Sequence, residues 1–191
     1  MDRDPTTVLR RAFGYPAFRP GQEEVVRAVT SGRDALGVLP TGGGKSVCYQ
    51  VPALMAEGLT LVVTPLISLM EDQVGRARAV GLRAASLSAA QEPAVRKGVL
   101  ARARSSDLDL LFVSPERLGT PNLVRLARTT RIDLLAVDEA HCISEWGHDF
   151  RPAYRTIAAV KHFIRCPTLA LTASATPEVR ADIRANLRLV S

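Results

Sequence analysis

The chain has 191 residues, 47% apolar and 23% charged, with a net charge of +6. That suits one well-cored domain, and no apolar run approaches the roughly 20 residues that span a bilayer. Cys48, Cys142 and Cys166 are too few and too scattered for a disulfide framework or a Cys-x-x-Cys metal site. Met1-Asp2-Arg3-Asp4-Pro5 is not a secretory leader, so the expected compartment is a reducing cytoplasm. The basic balance eases the approach of polyanions without identifying one.

The strand candidates, in chain order, are Ala35–Leu39, Leu59–Thr64, Ala84–Leu87, Leu108–Ser114, Ile132–Asp138 and Thr168–Thr172. Several are continuous apolar runs, as strands buried on both faces of a parallel sheet require. Leu66, Leu69, Met70, Val74, Ala77 and Val80 recur at three- and four-residue steps, which predicts one buried face of a helix over 66–80. A last helix is expected over Pro177–Leu189. Strand–helix alternation predicts an α/β fold with a mostly parallel sheet and helices on both faces. Residues 1–191 are read as one domain. Reactive residues of such sheets gather at the carboxyl ends of strands.

After the first strand comes Pro40-Thr41-Gly42-Gly43-Gly44-Lys45-Ser46, with a helix expected to begin near Lys45. It resembles a Walker A loop, although Leu39 stands where the strict pattern has glycine. Glycines let backbone N–H groups approach phosphate oxygens, and a helix start turns its positive end toward them. Thr41, Gly42, Gly43 and Gly44 are expected to cradle a triphosphate. Lys45 would reach the β- and γ-phosphates, and Ser46 would ligate Mg²⁺. The fifth strand ends in Asp138-Glu139-Ala140-His141, which resembles a DEAH-form Walker B box. Asp138 would hold Mg²⁺ and Glu139 would deprotonate the attacking water. His141 would link this box to Ser174-Ala175-Thr176, which resembles helicase motif III. ATP and Mg²⁺ are therefore the expected cofactors.

Thr64-Pro65-Leu66-Ile67-Ser68-Leu69 and Ser114-Pro115-Glu116-Arg117-Leu118 resemble helicase motifs Ia and Ib. Thr64, Ser68, Ser114 and Arg117 are their candidates for gripping a sugar–phosphate backbone. Taken singly, each motif reads equally well as a capped strand–helix turn.

Phe13-Gly14-Tyr15-Pro16-Ala17-Phe18-Arg19-Pro20-Gly21-Gln22 looks like motif 0 of RecQ helicases. Cys142-Ile143-Ser144-Glu145-Trp146-Gly147-His148-Asp149-Phe150-Arg151-Pro152-Ala153-Tyr154 is similar to that family's aromatic-rich loop. The family usually has Gln where Glu145 stands. The resemblance implies that Tyr15 stacks on adenine, Gln22 reads its N6/N7 edge and Arg19 assists. It also implies that Trp146, His148, Phe150 and Arg151 meet single-stranded DNA and, with Ser174 and Thr176, couple it to hydrolysis. A superfamily-2 motor needs a second RecA-like lobe, and the few residues after Thr176 leave no room for one. A domain excerpt or a truncated gene product is expected, weak or inactive alone, with DNA and that lobe as partners and no membrane. If bacterial, it would associate with the nucleoid. The alternatives are a lobe of another superfamily-2 ATPase, such as an RNA helicase, and a non-catalytic nucleic-acid-binding module.

Overall fold

The computed structural model describes residues 4–190. Met1, Asp2 and Arg3 of the leader argument, and Ser191, lie outside the described residues. Six parallel strands form one sheet in the order β1-β6-β5-β2-β4-β3. They are β1 (Ala35–Val38), β2 (Leu59–Val63), β3 (Ala84–Leu87), β4 (Leu110–Val113), β5 (Ile132–Val137) and β6 (Thr168–Thr172). Each expected strand is present: β3 and β6 with the expected bounds, the other four trimmed by a residue or two at one end or both.

Alternating side chains divide the strands between two cores. Leu61, Val63, Leu111, Val113, Leu135 and Val137 face one. Val62, Leu110, Phe112, Leu134, Ala136 and Leu169 face the other. The second core is covered by α1 (Pro5–Phe13), α2 (Gln22–Thr30), α3 (Val47–Met55) and α4 (Met70–Ala79). The first is covered by α5 (Pro93–Arg104), α6 (Pro115–Leu118), α7 (Pro121–Thr129), α8 (Thr156–Lys161) and α9 (Pro177–Asn186). Apolar burial on both faces explains why the strand sequences lack polar alternation.

Three helix boundaries differ from expectation. The helix after β2 begins with a separate 3₁₀ turn, Ile67–Leu69, because Leu66 has non-helical angles (φ −92°, ψ 71°). The α-helical phase therefore starts at Met70. Met70, Val74 and Ala77 are buried, but Leu69 is 47% exposed rather than on the buried face. The helix after the glycine loop starts at Val47, entered through three-residue bonds from Val47 N–H to Gly44 O and from Cys48 N–H to Lys45 O. The last helix ends at Asn186, where Leu187 caps it.

Candidate active site

The glycine loop leaves the carboxyl end of β1, and the acidic pair leaves that of β5, with only β6 between them. Gly42 and Gly44 both have φ +74°, a left-handed conformation that side-chain-bearing residues rarely adopt. The loop brings Lys45 back over the sheet edge. Its Nζ lies 2.8 Å from Glu139 Oε1, and both side chains are largely shielded. Segments 94 residues apart in the chain thus meet in one ion pair.

Glu139 itself has φ 49°, a strained value for a non-glycine residue and one that recurs at functional sites. Asp138 is 6% exposed and accepts a 3.0 Å hydrogen bond from the Glu139 N–H. Burial, and then the neighbouring Glu139 carboxylate, push its pKa up to about 6, with Lys45 pulling the other way. His141 is held near neutrality's uncharged form, because burial lowers its pKa more than Glu139 raises it. Its Nδ1 lies 2.9 Å from Thr172 Oγ1 and 3.4 Å from Glu139 Oε2. The Thr172 hydroxyl donates to Ser174 O, so Nδ1 must carry the proton that Thr172 accepts. His141 is thereby tied to the Ser174 segment through Thr172.

Beside the loop is a cavity of about 520 Å³ lined by Tyr15, Arg19, Gln22, Gly42, Gly44 and Ser46, among others. Tyr15 is 49% exposed and its ring stacks on Phe13 at 6.0 Å. Thr41 is exposed at the loop tip. Gln22 lines this cavity with both ends of its amide already bonded within the protein. Oε1 accepts from the Arg19 N–H at 2.9 Å, and Nε2 donates to Gly43 O at 2.9 Å and Gly44 O at 3.1 Å. Arg19 donates to Gly42 O at 2.7 Å. Here Arg19 and Gln22 set the shape of the glycine loop.

The aromatic loop packs directly against the acidic pair. His148 stacks on His141 at 4.6 Å with 16° between the rings. The Cys142 thiol, pushed up to about 12 by burial, faces Asp149 Oδ2 at 3.7 Å. Arg151 pairs with that same carboxylate at 3.1 Å and donates to Pro65 O at 3.4 Å. Gly147 passes so close to His141 O that an added Cβ would sit 2.6 Å from it. Ser144 anchors the loop by donating to Asp182 at 2.7 Å while accepting the Trp146 N–H at 3.2 Å. Trp146 stays 79% exposed. Phe150 lies under the Arg155 guanidinium, 5.2 Å from the ring centre, and Arg155 also pairs with Glu145. Trp146, His148, Ser174 and Thr176 line a second cavity of about 460 Å³ that reaches His141. Thr176 also caps α9, accepting the Val179 N–H at 3.4 Å.

Two backbone-gripping candidates are corrected. Thr64 and Ser114 are both fully buried, and their N–H groups continue the strand ladder by donating to Val113 O and Leu87 O. Their hydroxyls do not face solvent. Ser68 is exposed and Arg117 half-buried. Sequence reasoning also missed Thr172, Gln50 and Arg76. Thr172 begins the same polar cluster as Ser174, a visible signal. Gln50 and Arg76 line the first cavity only because α3 and α4 pack beside the loop, which no local pattern encodes.

The model of the DEAD/DEAH box helicase family matches residues 19–183. The chain is 47% identical over 184 residues to the ATP-dependent DNA helicase RecQ of Haemophilus influenzae, covering 96% of this chain and 30% of that protein. It is 44% identical to the Bacillus subtilis RecQ, with 96% and 32% covered. The chain thus spans about a third of the length of these relatives. The Pyrococcus furiosus Hef helicase domain shares the fold with a TM-score of 0.72 and 23% identity, over 95% of this chain and 38% of that one. Mycobacterium smegmatis Lhr, solved with single-stranded DNA and AMP-PNP, does so at 0.75 and 18%, over 94% and 26%. With the family match running from the Arg19 that braces the glycine loop to the Ile183 that buries α9, the chain belongs to the DEAD/DEAH box helicases.

Proposed function

We propose that this chain is the ATP-binding motor lobe of a RecQ-like DNA helicase, completed in the whole protein by a second RecA-like lobe. One observation carries this reading: Lys45 and Glu139 meet at 2.8 Å above the sheet's carboxyl edge. A cation that binds phosphates and a carboxylate that activates water need that juxtaposition. On this reading the loop N–H groups and Lys45 bind the triphosphate. Tyr15 stacks on the base, and Glu139, freed from Lys45, takes a proton from the attacking water. His141, in its Nδ1–H form, orients Glu139 and passes changes there to Ser174 through Thr172.

Ser46 and Asp138 supply hard oxygen donors of the kind Mg²⁺ prefers, and the buried Asp138 carboxylate is poorly compensated without a cation. Held by these residues, Mg²⁺ would supply positive charge that offsets the charge of the triphosphate. Trp146 and Arg151 meet single-stranded DNA, and the His148–His141 stack carries that contact to the acidic pair. Unwinding requires the second lobe, so the chain alone binds nucleotide weakly and does not unwind. Calorimetry with ATP and Mg²⁺ tests the reading. Binding by the native chain and none by Lys45→Ala is expected; equal heats from both would refute it.

A further inference from the structure

Some arginines on this surface are neutralised by an acid, and others are not. Arg27, Arg76, Arg83, Arg102 and Arg131 each hold a carboxylate. A groove between α5 and the α6–α7 segment gathers several of the unpaired cations. It encloses about 390 Å³ and is lined by Arg96, Lys97, Arg104, Arg117 and Asn122, with Pro93 and Leu100. Among the described residues, none of its four cations has a carboxylate within ion-pairing distance. Arg117 Nε is buried without any acceptor. A buried donor with no partner is costly, and a groove of like charges repels itself. The repulsion among the groove cations falls when an anion enters. Arg96 is spent on the carbonyl of Gln91, which leaves Lys97, Arg104 and Arg117 free.

Lys97, Leu100 and Arg104 fall at helical steps that put them on one face of α5. Leu100 is buried, while Lys97 and Arg104 are exposed. They are about 10 Å apart along the axis. Over that distance one strand of B-form DNA carries about three phosphates. The groove opens at Arg117, in the segment leaving the carboxyl end of β4. The first turn of α7, at Asn122, adds its positive end.

We propose that this groove is a phosphodiester site, a track on which the DNA backbone continues from Arg117 along α5 to Lys97 and Arg104. It rests on the motor-lobe reading above and extends the DNA path beyond the loops at the strand ends. No base is read here, because the groove offers cations and no stacking surface.

The test is the salt dependence of oligothymidylate binding to the 191-residue chain, followed by anisotropy. Each lost phosphate contact reduces the slope of log K against log salt by about 0.7. Lys97→Glu with Arg104→Glu should lower the slope by about 1.4, and affinity at low salt by roughly tenfold or more. The neutral pair Lys97→Gln with Arg104→Gln should give the same loss of slope with a smaller loss of affinity. Melting temperatures confirm that both variants fold. Trp146→Ala should weaken binding without changing the slope, since stacking releases no counterions. Unchanged slopes in both groove variants, with Trp146→Ala still weakened, would overturn the groove and leave the motor-lobe reading standing. No binding by the native chain at low salt would remove that reading itself. If polyglutamate binding depended on the groove while DNA binding did not, an acidic protein would be the occupant and the proposal would fail.

Discussion

The two ends of one short segment are built on opposite principles. Asp138 to Ile143 is almost wholly buried, and its polar groups are bonded to β6, to Lys45 and to the backbone. Three residues later Trp146 stands 79% exposed, and the nearby charges form exposed pairs, Arg151 with Asp149 and Arg155 with Glu145. The acidic end is fixed by burial, which shifts pKa values and defines tautomers. The aromatic end is tied down at Ser144, Gly147, His148 and Arg151 and leaves the Trp146 ring open. A motor needs both properties: a rigid place for chemistry, and next to it a surface that changes when a partner arrives. The His148–His141 stack joins them.

Removing the cation at the rigid end should have the largest effect. Lys45→Ala deletes a charged hydrogen bond to phosphate worth about 2–3 kcal/mol, on the order of 100-fold in nucleotide affinity. Titration of a fluorescent ATP analogue measures it. A loss below about threefold would mean that the 2.8 Å pair with Glu139 is structural only.

Asp138→Asn separates stability from function at the same place. The Asp138 pKa is raised to about 6 in the folded chain. A raised acid keeps its proton on folding, so its stabilising neutral form is complete below the unfolded value and is lost as pH rises through about 6. At pH 7 the native chain therefore buries an unfavourable charge. The asparagine variant should be more stable there by about 2–3 kcal/mol, and the gain should fade as pH drops below 5. Denaturant melts at the two pH values check the sign. Mg²⁺-dependent nucleotide binding should be lost in the same variant. A variant no more stable than the native chain at pH 7 would show that Lys45 compensates the buried charge fully.

At the open end the pattern should reverse. Trp146→Ala should leave stability within about 0.5 kcal/mol, because so exposed a ring contributes little to the core. It should cost about 1–3 kcal/mol in binding to single-stranded DNA. Stability loss without affinity loss would place the ring in packing and dissolve the contrast between the two ends.

That contrast is also where the sequence is unevenly legible. All six strands stand out, because burial on both faces leaves continuous apolar runs such as Leu134-Leu135-Ala136-Val137. The glycine loop and the acidic pair announce themselves by residue type at strand ends. What stays hidden depends on neighbours distant in the chain. Gln22 carries the right amide, but only the folded loop shows it bonded to Gly43 and Gly44. Thr64 and Ser114 have the right hydroxyls, yet the sheet buries them. Leu69 fits the helical period and is nonetheless exposed, since Leu66 interrupts the phase. The uncompensated cations of the α5 groove depend on which acids are absent nearby, and no linear motif records an absence.

Glu145 gives the smallest and most selective test. Its pairing with Arg155, which also lies over Phe150, is exposed at both partners. Such pairs are worth about 0.2–1 kcal/mol and are screened by salt. Glu145→Gln should therefore change the melting temperature little, and any change should vanish in high salt. Freed from its carboxylate, Arg155 becomes available to a phosphate. DNA affinity should then rise up to about threefold at low salt, with no change at high salt. A change that persists at high salt would mean that residue 145 shapes the backbone of the loop, and that the open end is more rigid than its exposure suggests.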